Sequence, residues 1–191
     1  MSISIKKEYM LLTLVMFSAI FVVFKTYKHT PKLTIKAVVS SQNGALHSVY
    51  QERSVKESKI FYIDTLAFAS GRVLSHSLYG KTSFSNNFFI DASSEFETTN
   101  KQKFYFDVYS DDGFVLKIDD KKVCEFVGDR AYKKSSCSVD LSKSKHNLNL
   151  SYFQGGGPLG LTLFYRAHQD KKWRTYGDDS DYLITKPLVL Q

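Results

Sequence analysis

The sequence predicts an all-β domain, an antiparallel sandwich or barrel, carried behind one N-terminal transmembrane helix. Three observations predict it. An uncharged apolar run sits near the N-terminus, period-two alternation of apolar and polar residues dominates the remainder, and no later segment is amphipathic over a length that would make a helix. The composition agrees: 191 residues, 43% hydrophobic and 15% aromatic, with three prolines and ten glycines, fit one ordinary domain and exclude a disordered or fibrous chain.

The first element is the apolar run, YMLLTLVMFSAIFVVF over residues 9–24, bracketed by Lys6, Lys7 and Glu8 before it and by Lys25 and Lys28 after it. As a helix it spans about 24 Å of a roughly 30 Å hydrocarbon layer, and snorkelling lysines cover the shortfall. A cleaved signal peptide is the rival reading, but cleavage after Ala19 would put Phe17 where a small residue is wanted, and the apolar run continues past that point. The division expected is therefore a flank at 1–8, an anchor at 9–25, a polar linker at 26–32 and a β domain from 33 to 191. Six lysines against one glutamate place +5 of the formal +7 in the first 36 residues. The rest is nearly neutral, which argues against a nucleic-acid partner. Flanking charge leaves orientation open; the two cysteines favour an oxidising compartment, with the domain facing the periplasm or exterior and the chain held at the cell membrane.

The strands follow in order. Leu33, Ile35 and Ala37 alternate with Thr34 and Lys36; residues 60–68 and 84–90 are the next candidates, after a polar stretch at 40–58 that reads as a long loop able to carry function. Phe104, Phe106 and Val108 alternate with Tyr105, Asp107 and Tyr109. Then come 114–118, 123–126, 137–141, the alternation of Leu148, Leu150 and Tyr152, and finally 159–165. About ten short strands separated by Ser, Asn, Asp and Gly suit a sandwich or barrel.

Cys124 and Cys137 are the only cysteines. They are either two buried thiols or a disulfide, and an exported domain favours the bridge, worth roughly 3 kcal/mol on the chain-entropy model. Enzyme motifs fail: Gly80-Lys81-Thr82 lacks the upstream glycine of a phosphate loop, no nucleophile elbow or zinc-protease signature occurs, and the five histidines are scattered. No catalytic residue is identified and no enzymatic activity is expected. Asn149-Leu150-Ser151 is a formal glycosylation sequon within a predicted strand, a poor setting for modification. The acidic cluster Asp178, Asp179 and Asp181 reads as a solvated loop, and Trp173 and Tyr176 as covers for a sheet edge.

The most informative segment starts at Phe104: a strand, then Ser110-Asp111-Asp112-Gly113, then a strand, a two-residue turn and a strand. A later strand ends in Tyr152-Phe153-Gln154-Gly155-Gly156-Gly157 before the last apolar run. In order and spacing these pieces resemble the domain first described in anthrax protective antigen, the PA-fourteen domain, found in adhesins, flocculins, glycosidases and toxins. The resemblance is clear over 83–167 and implies a β-sandwich or barrel. Two departures stand out: Asp120 replaces a glycine common in the hairpin, and Cys124-Glu125-Phe126 replaces an Asp-Asn-Trp-like stretch.

Adjacent aspartates on a strand project to opposite faces, so both can grip one cation only across a sharp backbone, strained or cis. Calcium takes six to eight oxygens, which the two carboxylates, the Gln154 carbonyl and the carbonyls of the glycine run supply in part. In lectin members of the family, the aspartates hold calcium and sugar hydroxyls complete its shell. The resemblance therefore implies Asp111, Asp112 and Gln154 as calcium ligands, with Gly155, Gly156 and Gly157 admitting a sugar ring. The function expected is a membrane-anchored, calcium-dependent carbohydrate-binding module whose partner is a glycan or polysaccharide. The alternative is an assembly subunit of a cell-envelope complex that docks a protein partner.

Overall fold

The computed structural model describes Tyr9, residues 12–18 and residues 31–189. Two compact units divide at Pro31. In the first, residues 12–18 are helical, and Thr13 and Ser18 return their hydroxyls to the carbonyls of Tyr9 and Val15. The rest of the anchor expected at 9–25 lies outside the described residues. Among the described residues no helix is long and apolar enough to cross a membrane.

The second unit is all-β. Its strands are β1 (Ile35–Gln42), β2 (Val55–Ile63), β3 (Ala67–Gly71), β4 (Ser75–His76), β5 (Gly80–Lys81), β6 (Phe88–Thr98) and β7 (Gln102–Ser110), followed by β8 (Phe114–Ile118), β9 (Lys121–Phe126), β10 (Lys133–Leu141), β11 (Lys145–Gln154), β12 (Leu159–Ala167), β13 (Arg174–Thr175) and β14 (Leu183–Thr185). They form two sheets in which the described pairings are antiparallel. One runs β2-β1-β6-β11-β8-β9 with β14 on β6, and the other β10-β7-β12-β3-β4-β5 with β13 on β12. The core lies between them, where the period-two alternation sends Phe96, Phe104, Phe106, Phe114, Tyr152 and Tyr165 inward to near-zero exposure.

Several elements depart from expectation for physical reasons. The strand expected at 60–68 is two, because the chain turns at residues 64–66 to change sheets. β6 is longer than expected: beyond Ile90 its outward residues are Asp91, Ser93, Glu95 and Glu97, and its inward ones are partly small or polar, so hydrophobic alternation fades while the ladder to β11 continues to Lys145. β2 and the first half of β10 are polar because both are edge strands. Tyr176 is fully buried in the core, whereas Trp173 stays at the surface under the Arg166 guanidinium. Asp179, far from being merely solvated, pairs with Lys32 at 2.6 Å and accepts from the backbone and hydroxyl of Thr185.

Cys124 and Cys137 form a disulfide with their α-carbons 5.8 Å apart. It joins β9 to β10, the terminal strands of the two sheets. The polar stretch between β1 and β2 is a loop at residues 43–54. It folds onto the outer face of the first sheet, where Leu46 and Val49 bury against Phe89, Val115 and Phe153 in a second, small apolar cluster. Arg53 fixes the far end of this loop: it lies 4.2 Å over the Phe89 ring and forms a two-pronged ion pair with Asp91.

Candidate functional site

At one end of the sandwich, the turn between β7 and β8 carries Asp111, Asp112 and Gly113, and the connection from β11 to β12 carries the three glycines. Gly113 is required by crowding: a β-carbon there would lie 2.6 Å from the Phe126 carbonyl and from the Phe153 ring. Asp111 and Asp112 are 6% and 5% exposed. No cis peptide occurs among the described residues, and neither aspartate has positive φ, so the sharp backbone expected between them takes another form. The Ser110 hydroxyl donates to the Asp112 carbonyl at 2.7 Å, and the Asp111 N–H donates to the Gly160 carbonyl at 3.0 Å.

Both carboxylates are held by backbone. The Asp112 Oδ1 accepts from the Arg130 N–H at 3.2 Å and its Oδ2 from the Gly155 N–H at 2.8 Å, while Asp111 accepts from the Tyr132 N–H. The loop between β9 and β10 thus clasps the turn. Burial, and then the neighbouring Asp112 charge, push the Asp111 carboxyl up to about 6; burial also raises Asp112. Arg130 stands behind the pair. Its guanidinium donates to the hydroxyls of Ser110 and Ser135 at 2.6 and 2.8 Å, and lies 5.4 and 4.5 Å from the Phe114 and Phe126 rings.

A cleft of about 490 Å³ opens in front of Asp112, lined also by Leu46, His47, Asn87, Asp129 and the three glycines. His47 Nδ1 and Asp129 Oδ2 are 3.0 Å apart at its rim. Asn87, itself at φ 49°, accepts from the Leu46 N–H and donates its own N–H to the Gly155 carbonyl, tying the 43–54 loop to the glycine run. Gly155 marks the closest approach: its absent side chain would meet the Leu46 carbonyl at 2.6 Å and one oxygen each of Asp112 and Asp129 at 3.6 Å.

Of the residues the sequence singled out, the structure brings Asp111, Asp112, Gly155, Gly156 and Gly157 to one end of the molecule, but Gln154 takes a different part from the one expected. It has no exposure; its carbonyl accepts the Tyr152 hydroxyl and its amide donates to the carbonyls of Gly156 and Pro158. It shapes the glycine run from behind instead of facing the cleft. Asp129, His47 and Arg130 were not singled out by the sequence. Their only signals were a long polar loop at 40–58 and a loop between two cysteines.

The oxygens around Gly155 allow a calcium fit to be judged. Two carboxylates and a backbone carbonyl gather where no side chain fills the space, a hard donor set suited to that ion. Among the described residues no group of three or more His, Cys, Asp or Glu could hold a metal, so backbone carbonyls and ligand oxygens would have to complete the shell.

No family model and no curated protein matches this sequence. Solved structures do. The PA14 domain of the antifreeze protein MpAFP is similar with a TM-score of 0.60 at 13% identity, over 78% of this chain and 90% of that one. A PA14 sugar-binding domain from an RTX adhesin gives 0.60 at 14% identity, over 77% and 96%. The A domain of epithelial adhesin 9 from Candida glabrata, solved with Galβ1-3GlcNAc, gives 0.58 at 10% identity, over 83% and 98%. The β unit therefore has the protective-antigen-type fold expected from its sequence.

Proposed function

We propose that the chain is a lectin-like carbohydrate-binding module, tethered to the cell membrane through its N-terminal segment, with the cleft between the Asp111-Asp112-Gly113 turn and the glycine run as its sugar site. One observation carries this reading. The Asp112 carboxylate reaches across the floor of the cleft to the Gly155 N–H, so an acidic turn and a bare backbone, 43 residues apart, form a single concave wall. Glycines let a flat ring approach the main chain, and carboxylates accept from hydroxyls that sit side by side on a sugar. The solved sugar-binding domains of the same fold support the choice of ligand class.

Calcium would be held by the carboxylates of Asp112 and Asp129 together with main-chain carbonyls such as that of Leu46. Once bound it would offer open positions to paired hydroxyls. Gln154 supports the wall from the interior. The reading is one of binding and not catalysis, with the domain outside the cytoplasm, where its disulfide is maintained. Calorimetry against a glycan panel, with calcium and with chelator, tests it. Binding should require calcium, and Asp112→Ala should abolish it with the melting transition still cooperative. A wild-type protein that binds no glycan in calcium would overturn the proposal.

A further inference from the structure

A second surface has the makings of a ligand groove, on the outer face of the first sheet and away from the glycine run. The strand register aligns four side chains across it: Lys36 of β1 is opposite Ser93 of β6, which is opposite Asn149 of β11, which is opposite Lys117 of β8. Asn147 and Asp120 flank this row. Among the described residues, none of these six side chains has a hydrogen-bond or ion-pair partner. The adjacent row differs: Asp91 and Ser151 hydrogen-bond each other at 2.7 Å and Arg53 closes on Asp91. One row of the face is internally satisfied and the next is left open.

The open row is also concave. Two hollows of about 370 and 470 Å³ lie along β11 and share Asn149 and Asp120. Leu188 of the C-terminal segment walls one end, and Tyr50 of the 43–54 loop, a residue 59% exposed, the other. Asp120 is the residue that stands where the resemblance expects glycine. It sits at φ 62° beside Asp119 at φ 50°, in a two-residue hairpin turn whose left-handed geometry favours glycine. Asp119 uses its carboxylate on the Asn147 N–H and His146, but that of Asp120 is uncommitted and lines both hollows. Aspartate tolerates this seat better than most residues, and with no partner among the described residues the Asp120 carboxylate is left facing the hollows.

We propose that this groove binds a segment of an anionic glycan chain, carboxylated or phosphorylated, laid across the strands. Amides and a hydroxyl along the floor match a chain rich in hydroxyls. Two uncommitted ammonium groups against one uncommitted carboxylate give the floor a positive balance. Four strands at about 4.8 Å spacing extend the row over about 14 Å, room for an oligomer and not a single ring. The groove uses none of the cleft residues, so it stands whether or not the cleft binds calcium.

The test is titration of the full chain with oligogalacturonides, phosphorylated mannan fragments and neutral dextran oligomers, each in chelator at low salt. At least one anionic probe should bind and dextran should not, with affinity falling as salt is raised. Asp112→Ala should leave that binding intact. Lys36→Ala with Lys117→Ala should weaken it about tenfold or more, the scale of one lost charged hydrogen bond, and Asn149→Ala should weaken it as well; unchanged melting transitions establish that these variants fold. The anionic source is whichever probe binds. Failure of both anionic probes, equal binding of dextran, or wild-type affinity in the lysine variant would each overturn the proposal, and none of these outcomes bears on the cleft.

Discussion

Asp111 is where a single side chain sets a measurable property of the whole domain. Its carboxyl, near 3.9 in an unfolded chain, is raised to about 6 in the fold by burial and by Asp112. An acid with a raised pKa holds its proton more tightly when folded, so the stabilisation is complete at low pH and is lost as pH climbs from about 4 through 6. In chelator the protein should therefore melt at a higher temperature at pH 5 than at pH 7. Asp111→Asn should flatten that dependence and raise the pH 7 value; a wild-type profile falling on acidification over this range would refute it. The aspartate pair and the glycine run were legible because each is contiguous. Gln154 was also legible, but not in the role assigned: it continues the alternation of Leu148, Leu150 and Tyr152, which points it into the core. His47 and Asp129 were not legible, since they meet across 82 positions and neither belongs to a local pattern.

At the scale of elements, the loop between β9 and β10 matters most to the cleft. Its main-chain N–H groups at Arg130 and Tyr132 hold the two aspartates, and the cysteines secure its ends. Replacing both cysteines by serine should cost about 3 kcal/mol in urea denaturation, the value expected for closing a loop near this length. It should also weaken glycan binding by more than the fraction unfolded explains. Equal loss of binding and of folded protein would show that the loop keeps its shape without the bridge. The cysteine pairing could be anticipated from compartment and count. That it joins two sheets could not, because the β8-β9 hairpin is placed in its sheet by the pairing of β8 with the distant β11, and β10 is placed in the other by its pairing with β7. Likewise the polar stretch at 40–58 read as a loop throughout, although both its ends are strand. β2 is an edge strand and its sequence carries little alternation, whereas the end of β1 is interior but polar, with Ser40 and Gln42 buried.

For the molecule as a whole, the uneven charge is the guide to its placement. Most of the excess positive charge collects within the first 36 residues, around the apolar run, and the β unit beginning at Lys32 is compact by itself. A chain truncated to start at Lys32 should stay in solution when vesicles are pelleted, and the full chain should pellet with them. Failure of the full chain to pellet, or co-sedimentation of the truncated chain, would overturn the proposed N-terminal tether. The all-β class was legible from alternation alone, whereas the order of strands within each sheet was not, because neighbours such as β6 and β11 are separated by more than 45 residues of chain.

The bridge between β9 and β10 has one further effect, on what the domain avoids becoming. A sandwich has four sheet margins where a foreign strand can add and begin templated growth. Here two of those margins are fastened to each other, and a third, β5, is only two residues long. The fourth, β2, is exposed from Val55 to Ile60 but presents Lys56, Glu57 and Lys59. Among the long strands, the margin left open to strand addition is thus guarded by charge, and reduction of a single covalent bond would release the two that are fastened together.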